Sequence, residues 1–143
     1  MSICIISGGF DPLHSGHIRL LNDASTHGDV YVLLNSDEWL TRKKGKPFMP
    51  WAERAEIIRN LWMRPRVIPV MDDDGTVCNG LEHIRITRPY EDIFFANGGD
   101  RTKKNTPELD VCRKLNITPL FNVGGGKIQS SSELIRNAMV NGC

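Results

Sequence analysis

Ile3-Cys4-Ile5-Ile6-Ser7-Gly8-Gly9-Phe10-Asp11-Pro12-Leu13-His14-Ser15-Gly16-His17 opens the chain almost at once and decides how the rest is read. Its first part is a short, continuously apolar run rich in β-branched residues, as expected of a strand covered by helices on both faces. A glycine pair then ends the run, and helical periodicity takes over from Ser15. Strand, glycine loop and helix in that order form the first half of a βαβ unit.

Working outward, the same alternation recurs to the end of the sequence. Strands are predicted at 2–7, 29–35, 67–71, 93–97 and 118–121. Helices are predicted at 15–27 closed by Gly28, at 37–42 capped by Ser36, and at 51–61 after Pro50. Three more follow at 76–87, at 107–115 capped by Thr106, and at 131–141 ending at Gly142. The expectation is an α/β chain with a five-stranded parallel sheet, a single domain over residues 1–143. Loops 98–105 and 124–130 follow strands and therefore fall at the carboxyl edge, where open α/β sheets bind ligands; loop 43–49 is the third polar stretch.

Bulk properties narrow the function. A chain of 143 residues buries roughly two-thirds of its unfolded surface without needing staples. Eighteen Lys and Arg stand against 17 Asp and Glu, a net charge of +1, which argues against generic nucleic-acid binding. Cys4, Cys78, Cys112 and Cys143 are scattered, with no short metal-ligand or redox spacing, and read as free thiols in a reducing compartment. No basic leader precedes the first strand and no apolar run approaches membrane-spanning length, so an unprocessed, cytoplasmic protein without membrane contact is expected.

Chemistry concentrates where the first strand hands over to the first helix. Gly8 and Gly9 let backbone N–H groups approach an anion, and the helix beginning near Ser15 directs its positive end to the same place. His14 stands just before that helix and His17 in its first turn, so both imidazoles can donate to one phosphate across Gly16. A lone histidine is ordinarily a satisfied structural residue; two flanking a glycine behind Gly-Gly-Phe-Asp form a constellation.

Gly-x-Phe-Asp-x-x-His-x-Gly-His, with six fixed positions, resembles the signature of the cytidylyltransferase-like nucleotidyltransferase superfamily. The resemblance covers nearly the whole chain and implies a Rossmann-like three-layer sandwich, a bound nucleoside triphosphate, Mg²⁺ and a phosphorylated acceptor. It implies that His14 and His17 stabilise phosphate charge, with Gly8, Gly9, Phe10, Asp11 and Gly16 around them. Asp11 is the residue assigned to help hold the metal or the loop, the ion otherwise resting on phosphates. Gly9 departs from the family, which often has Thr there.

Other stretches gain meaning from the same resemblance. Arg42-Lys43-Lys44-Gly45-Lys46 reads alone as a solvated basic loop, whereas relatives carry a lysine there that reaches the phosphates of both substrates. Lys44 is the first choice and Lys46 the second, with Arg54 bracing or contacting the same phosphates. Asn97, Gly98, Gly99 and Asp100 match a Gly-Asp loop expected at the base and ribose; the alternative is a tight turn with a surface Asp. Ser130, Ser131 and Ser132 with Arg136 resemble a family motif for the departing phosphates, although serines also simply cap helices. Asp72-Asp73-Asp74-Gly75 reads as a hydrated turn rather than a cation site.

The implied reaction transfers AMP or CMP to a sugar or polyol phosphate, with release of pyrophosphate. Lys44-Gly45 before a proline, Asn97-Gly98-Gly99-Asp100 and the serine–arginine spacing resemble heptose-phosphate adenylyltransferases more than glycerol-3-phosphate cytidylyltransferases. Two readings of other classes were weighed. One is a nucleotide-binding regulator without catalysis, and the other a dinucleotide redox enzyme, whose three-glycine fingerprint is lacking here. Relatives are often homodimers, and Trp39, Trp51 and Trp62 are aromatic surface for such a contact or for the core.

Overall fold

A computed structural model describes residues 1–99, 101, 105–125 and 131–140, with 132, 133, 139 and 140 as backbone only. The elements run β1 (Ser2–Gly8), α1 (Ser15–Ser25), β2 (Asp29–Leu34), α2 (Asp37–Lys44), α3 (Trp51–Arg59), β3 (Arg66–Pro69), α4 (Cys78–Thr87), β4 (Asp92–Ala96), α5 (Leu109–Lys114), β5 (Thr118–Leu120) and α6 (Ser131–Val140). All ladders are parallel and the strand order is β3-β2-β1-β4-β5. The chain winds outward from β1 to β3, then returns across the sheet to place β4 on the other side of β1. That reversal opens a crevice at the carboxyl ends of β1 and β4.

Alternation along β1 divides the core in two. Ile3 and Ile5 face one side, among Tyr31 and Leu33 of β2, Leu81 and Ile84 of α4, Phe95 of β4 and Cys112 of α5. Cys4 and Ile6 face the other, among Leu21, Ala24, Val32, Ala55 and Ile58 from α1, β2 and α3. Period-two burial on a strand covered on both faces thus produces the three layers. Burial raises the Cys4 thiol to about 12 and that of Cys112 to about 11, so both behave as core residues. No described helix is long and apolar enough to cross a membrane.

The element boundaries differ from the sequence expectation in instructive places. α2 runs through Lys44 and stops at Gly45, whose φ is +95°, so Lys43 and Lys44 stand on a helix rather than in a loop. α5 begins at Leu109 instead of 107, and Thr106 is buried rather than acting as a cap, because Glu108 turns inward to pair with Arg101. The terminal Gly142 cap lies outside the described residues. Trp51 packs half-buried, with its indole N–H donating to the Leu34 carbonyl at 3.1 Å, while Trp62 is exposed on the surface.

Asp72 corrects the hydrated-turn reading. It is buried and accepts from Asn35 Nδ2 at 3.0 Å, the Ser36 N–H at 2.9 Å and the Ser36 hydroxyl at 2.6 Å. Burial alone would raise its pKa, but the Ser36 hydroxyl, the Asn35 amide and the Ser36 N–H together hold it below the ordinary carboxylate value. The carboxylate ties the turn after β3 to the start of α2. Asp74 keeps the expected turn role, accepting from Thr76 N–H and hydroxyl at 2.9 Å.

α4 approaches the sheet closely through Gly80, where a Cβ would stand 2.7 Å and 2.9 Å from the two methyls of buried Leu33. Gly80→Ala gains up to about 1 kcal/mol of helix propensity but meets an overpacking cost of about 1–3 kcal/mol. A net destabilisation is expected, read as a lower urea midpoint with an unchanged m-value.

Candidate active site

Two histidines shape the start of α1. His14 is its N-cap, and its Nδ1 accepts the Gly16 N–H at 3.1 Å. His17 Nδ1 accepts the His14 N–H at 3.2 Å, so each imidazole satisfies a backbone donor that the first turn would otherwise leave orphaned. A ring nitrogen that accepts carries no proton, which puts the proton of each neutral ring on Nε2. The rings stack with centroids 3.7 Å apart and planes 19° apart. Phe10, at φ +49°, sets its buried ring edge-on to His17 at 4.6 Å. Burial first, then the charge on His14, lowers the His17 pKa to about 3. At neutral pH His17 is therefore an uncharged Nε2–H donor.

Gly9 belongs to the same turn. A Cβ there would lie 2.8 Å from a methyl of buried Leu40, so the Thr common in the family has no room without a shift of α2.

Asp11 anchors the lysine-bearing side. Its two oxygens accept the Phe48 N–H at 2.6 Å and the Met49 N–H at 2.7 Å, and Lys44 Nζ lies 2.8 Å from Oδ2. Lys44 also donates to the Asp11 carbonyl at 2.7 Å. Of the two assignments made for Asp11, loop or metal, its contacts match the loop: both oxygens are committed to the segment before α3 and to Lys44. Lys43 and Lys44 line the cavity, whereas Lys46, beyond the helix end, is exposed and outside the wall. Lys43 was not singled out from sequence; its Nζ lies 4.9 Å from the Trp39 ring centroid, at the cavity wall.

Of the two roles expected of Arg54, its contacts match the brace. Its guanidinium is fully buried and donates to the carbonyls of Met49 at 3.0 Å, Gly9 at 2.9 Å and Asn35 at 2.9 Å, and to the Asp37 carboxylate. With its donors spent on three backbone segments and α2, it does not line the cavity and is a brace rather than a nucleotide contact.

The β4 side is held by Asn97, which is buried and donates through Nδ2 to the carbonyls of Leu120 at 3.1 Å and Phe95 at 3.3 Å. Gly98 and Gly99 line the cavity beyond it, while Asp100 lies outside the described residues. Arg101 follows, and its Nη2 reaches buried Glu108 at 2.9 and 3.3 Å. Neither residue was proposed from sequence, because seven positions and a loop separate them and no periodicity marks Glu108 as buried.

The terminal serines come to the same edge. Ser131 Oγ donates to the Pro12 carbonyl at 2.7 Å and lines the cavity. Ser130 and the side chain of Ser132 lie outside the described residues. Arg136, five positions beyond Ser131, is exposed and absent from the wall, since five residues turn a helix by about 140° from its starting face. Gly124, at φ +79°, lays the preceding loop on α1, where a Cβ would stand 2.8 Å from Leu20 Cα.

These elements enclose a cavity of about 470 Å³ whose wall includes Gly8, Gly9, Phe10, Asp11, His14, Gly16, His17, Lys44, Asn97, Gly98, Gly99 and Ser131. Its charged wall residues are Lys43, Lys44 and Arg101 against Asp11 and Glu108. Cations, uncharged N–H donors and the positive end of α1 make the interior suited to a polyanion. Among the described residues no group of three or more His, Cys, Asp or Glu is placed to hold a metal.

Two expectations follow. Arg54→Lys keeps the charge but loses the fork, leaving buried carbonyls without donors, and should cost on the order of 3 kcal/mol in urea unfolding. For His17, a folded pKa near 3 against an unfolded value of 6.5 means that the unfolded chain binds the proton first on acidification. Its contribution to stability is complete above pH 6.5 and is lost as pH falls toward 3. The His17 ring resonance should stay flat from pH 8 to 5 in an NMR titration.

Comparison with known proteins agrees with this arrangement. A family model described as cytidylyltransferase-like matches residues 5–136. The bifunctional protein HldE of Geobacter metallireducens is 35% identical over 112 residues, covering 76% of this chain and 21% of that protein. HldE of Pelobacter propionicus is 38% identical over 116 residues, covering 79% of this chain and again 21% of the relative. The chain thus spans about a fifth of the length of these curated relatives. Among solved structures, a putative nicotinate-nucleotide adenylyltransferase from Vibrio parahaemolyticus superimposes with a TM-score of 0.66 at 21% identity, covering 99% of this chain and 89% of that one. That likeness shows the fold, and the sequence matches show the lineage: the chain belongs to the cytidylyltransferase-like family.

Proposed function

We propose that this chain transfers a nucleoside monophosphate from a nucleoside triphosphate to a phosphorylated sugar or polyol and releases pyrophosphate. The observation that carries this reading is the pair of Nδ1-accepting imidazoles at the start of α1, sharing one cavity with Lys44 and Ser131. The similarity to HldE, together with the sequence resemblance to heptose-phosphate adenylyltransferases, favours an adenylyl donor and a heptose-phosphate-like acceptor. The cytidylyl reading, with a glycerol phosphate acceptor, is second and draws on the description of the family.

A phosphate oxygen of the acceptor attacks the α-phosphorus in line, and the bond from that phosphorus to the bridging oxygen breaks. The electron pair leaves with pyrophosphate. No protein nucleophile enters. His14 and His17 donate Nε2–H to the phosphoryl oxygens on which charge grows, and the neutrality of His17 at pH 7 keeps a desolvated imidazolium out of the site. Lys44 leaves Asp11 or shares it as it meets the acceptor phosphate, and Ser131 faces the departing end. The wall carboxylates Asp11 and Glu108 are committed to other partners, a donor set that suits an ion carried on phosphate oxygens and water. Mg²⁺, when bound there, neutralises charge on the departing pyrophosphate. A cytoplasmic setting and a homodimer belong to the same proposal, the first resting on the scattered cysteines and the second on the family resemblance.

The test is a screen of ATP, CTP, GTP and UTP against heptose, glycerol and other sugar phosphates, following pyrophosphate. One pair should turn over, and His17→Asn should lower kcat by about 10²–10³ while the chain stays folded. Nucleotide binding without pyrophosphate release from any pair would favour a regulator instead.

A further inference from the structure

We infer that Arg101 is a phosphate-binding group of the cavity and that Glu108 positions it, an inference that rests on the transferase reading for which phosphates are present. Arg101 was not among the residues that the sequence motifs brought forward, and nothing in the pairing of helices and strands requires a charge at 101 or 108.

The geometry is that of an arginine held by one edge. Nη2 bonds both oxygens of Glu108, and Nε–H points to Thr106 Oγ1 at a long 3.5 Å. Among the described residues those bonds take Nε and Nη2 and leave the remaining nitrogen, Nη1, outside them. Arg101 itself lines the cavity, with its side chain one-third exposed, whereas the Glu108 side chain is 4% exposed. The backbone is fixed as well, since the Arg101 N–H donates to the Gly98 carbonyl at 3.1 Å and closes the glycine turn.

Burying a carboxylate against an arginine is a poor way to gain stability, because desolvation offsets most of the Coulomb attraction and an apolar pair of similar volume serves as well or better. What the pair does supply is orientation. A guanidinium fixed along one edge presents its other donors in a set direction and loses little entropy on meeting a planar anion. Its place in the fold adds a second constraint. Glu108 immediately precedes α5, whose Cys112 belongs to the core face shared with Leu81 and Ile84 of α4, the layer opposite α1. The imidazole pair and Arg101 therefore approach the crevice from opposite layers, and a ligand reaching both presents anionic groups at two points. Those groups belong to the acceptor phosphate or to the β- and γ-phosphates of the donor.

Calorimetric titration of the full chain with inorganic pyrophosphate and with inorganic phosphate tests the assignment without needing turnover. The double variant Arg101→Gln with Glu108→Gln replaces the ion pair by a neutral hydrogen-bonded pair, which keeps a lone buried carboxylate from unfolding the chain; thermal melting checks this. At least tenfold weaker binding of one anion is expected. Loss confined to pyrophosphate assigns Arg101 to the donor's leaving end, and loss confined to phosphate, with a raised KM for the acceptor and little change in kcat, assigns it to the acceptor. Glu108→Gln alone should weaken the same anion and leave the other unchanged, a selectivity that general loosening of the loop would not produce. A folded double variant that binds both anions within twofold of the parent overturns the inference, as does a parent chain that binds neither. If the anion results are as expected and no triphosphate–acceptor pair releases pyrophosphate, the transferase reading fails while the assignment of Arg101 stands.

Discussion

The buried guanidinium of Arg54 is the interaction on which the crevice depends. Its donors gather the carbonyls of Gly9, Asn35 and Met49 and the carboxylate of Asp37, four groups from three separate turns at the carboxyl edge. Backbone carbonyls at the ends of parallel strands have no ladder partner, and such groups are costly when buried. One planar, permanently charged fork satisfies three of them and brings the glycine turn, the start of α2 and the segment before α3 to fixed separations. Asp11 then bonds that segment through Phe48 and Met49 and reaches Lys44, while Asp72 fastens the start of α2 to the turn beyond β3. Every part of the wall on the α2 side is placed by one of these three charged groups.

On the α1 side the same economy is achieved with imidazoles. His14 takes the N-cap place of a serine or aspartate and His17 the N3 place of a glutamate or glutamine, and in doing so each ring keeps its Nδ1 for the backbone. Structural and chemical roles are thereby joined in the same rings, on different nitrogens. Burial of His17 keeps its protonation well below neutral pH, so the positive end of α1 does not compete with a His17 imidazolium for counter-ions.

No buried side-chain nitrogen or oxygen among the described residues lacks a hydrogen-bond partner. Charged residues at this edge follow that pattern: Asp11 with Lys44, Arg54 with Asp37, Glu108 with Arg101. In each pair one member is at least 96% buried in its side chain and the other keeps contact with solvent or the cavity. In two of the pairs the accessible member is a cation of the cavity wall, Lys44 or Arg101, oriented by its buried partner; in the third the cation is the buried member, which separates the brace, Arg54, from the cations that line the wall.

The alternation of β-branched runs with helical periodicity was enough to specify five parallel strands between helices, because continuous apolar runs have few other ways to be buried on two faces. The six-position histidine motif was equally legible, since its residues are close in sequence and act through local helix geometry. Residues whose role depends on distant partners were not. Arg54 read as brace or ligand contact and Asp72 as part of a hydrated turn, because most partners of the first lie 17 to 45 positions away and the side-chain partners of the second 36 to 37, and burial of a charge is invisible until those partners are known. Arg101 and Glu108 escaped notice for the same reason. Local pattern determined the layers and the mouth of the crevice; which charges face it and which are consumed in holding it was decided only when the chain closed upon itself, because pairing in a low-dielectric interior is a property of three-dimensional neighbours.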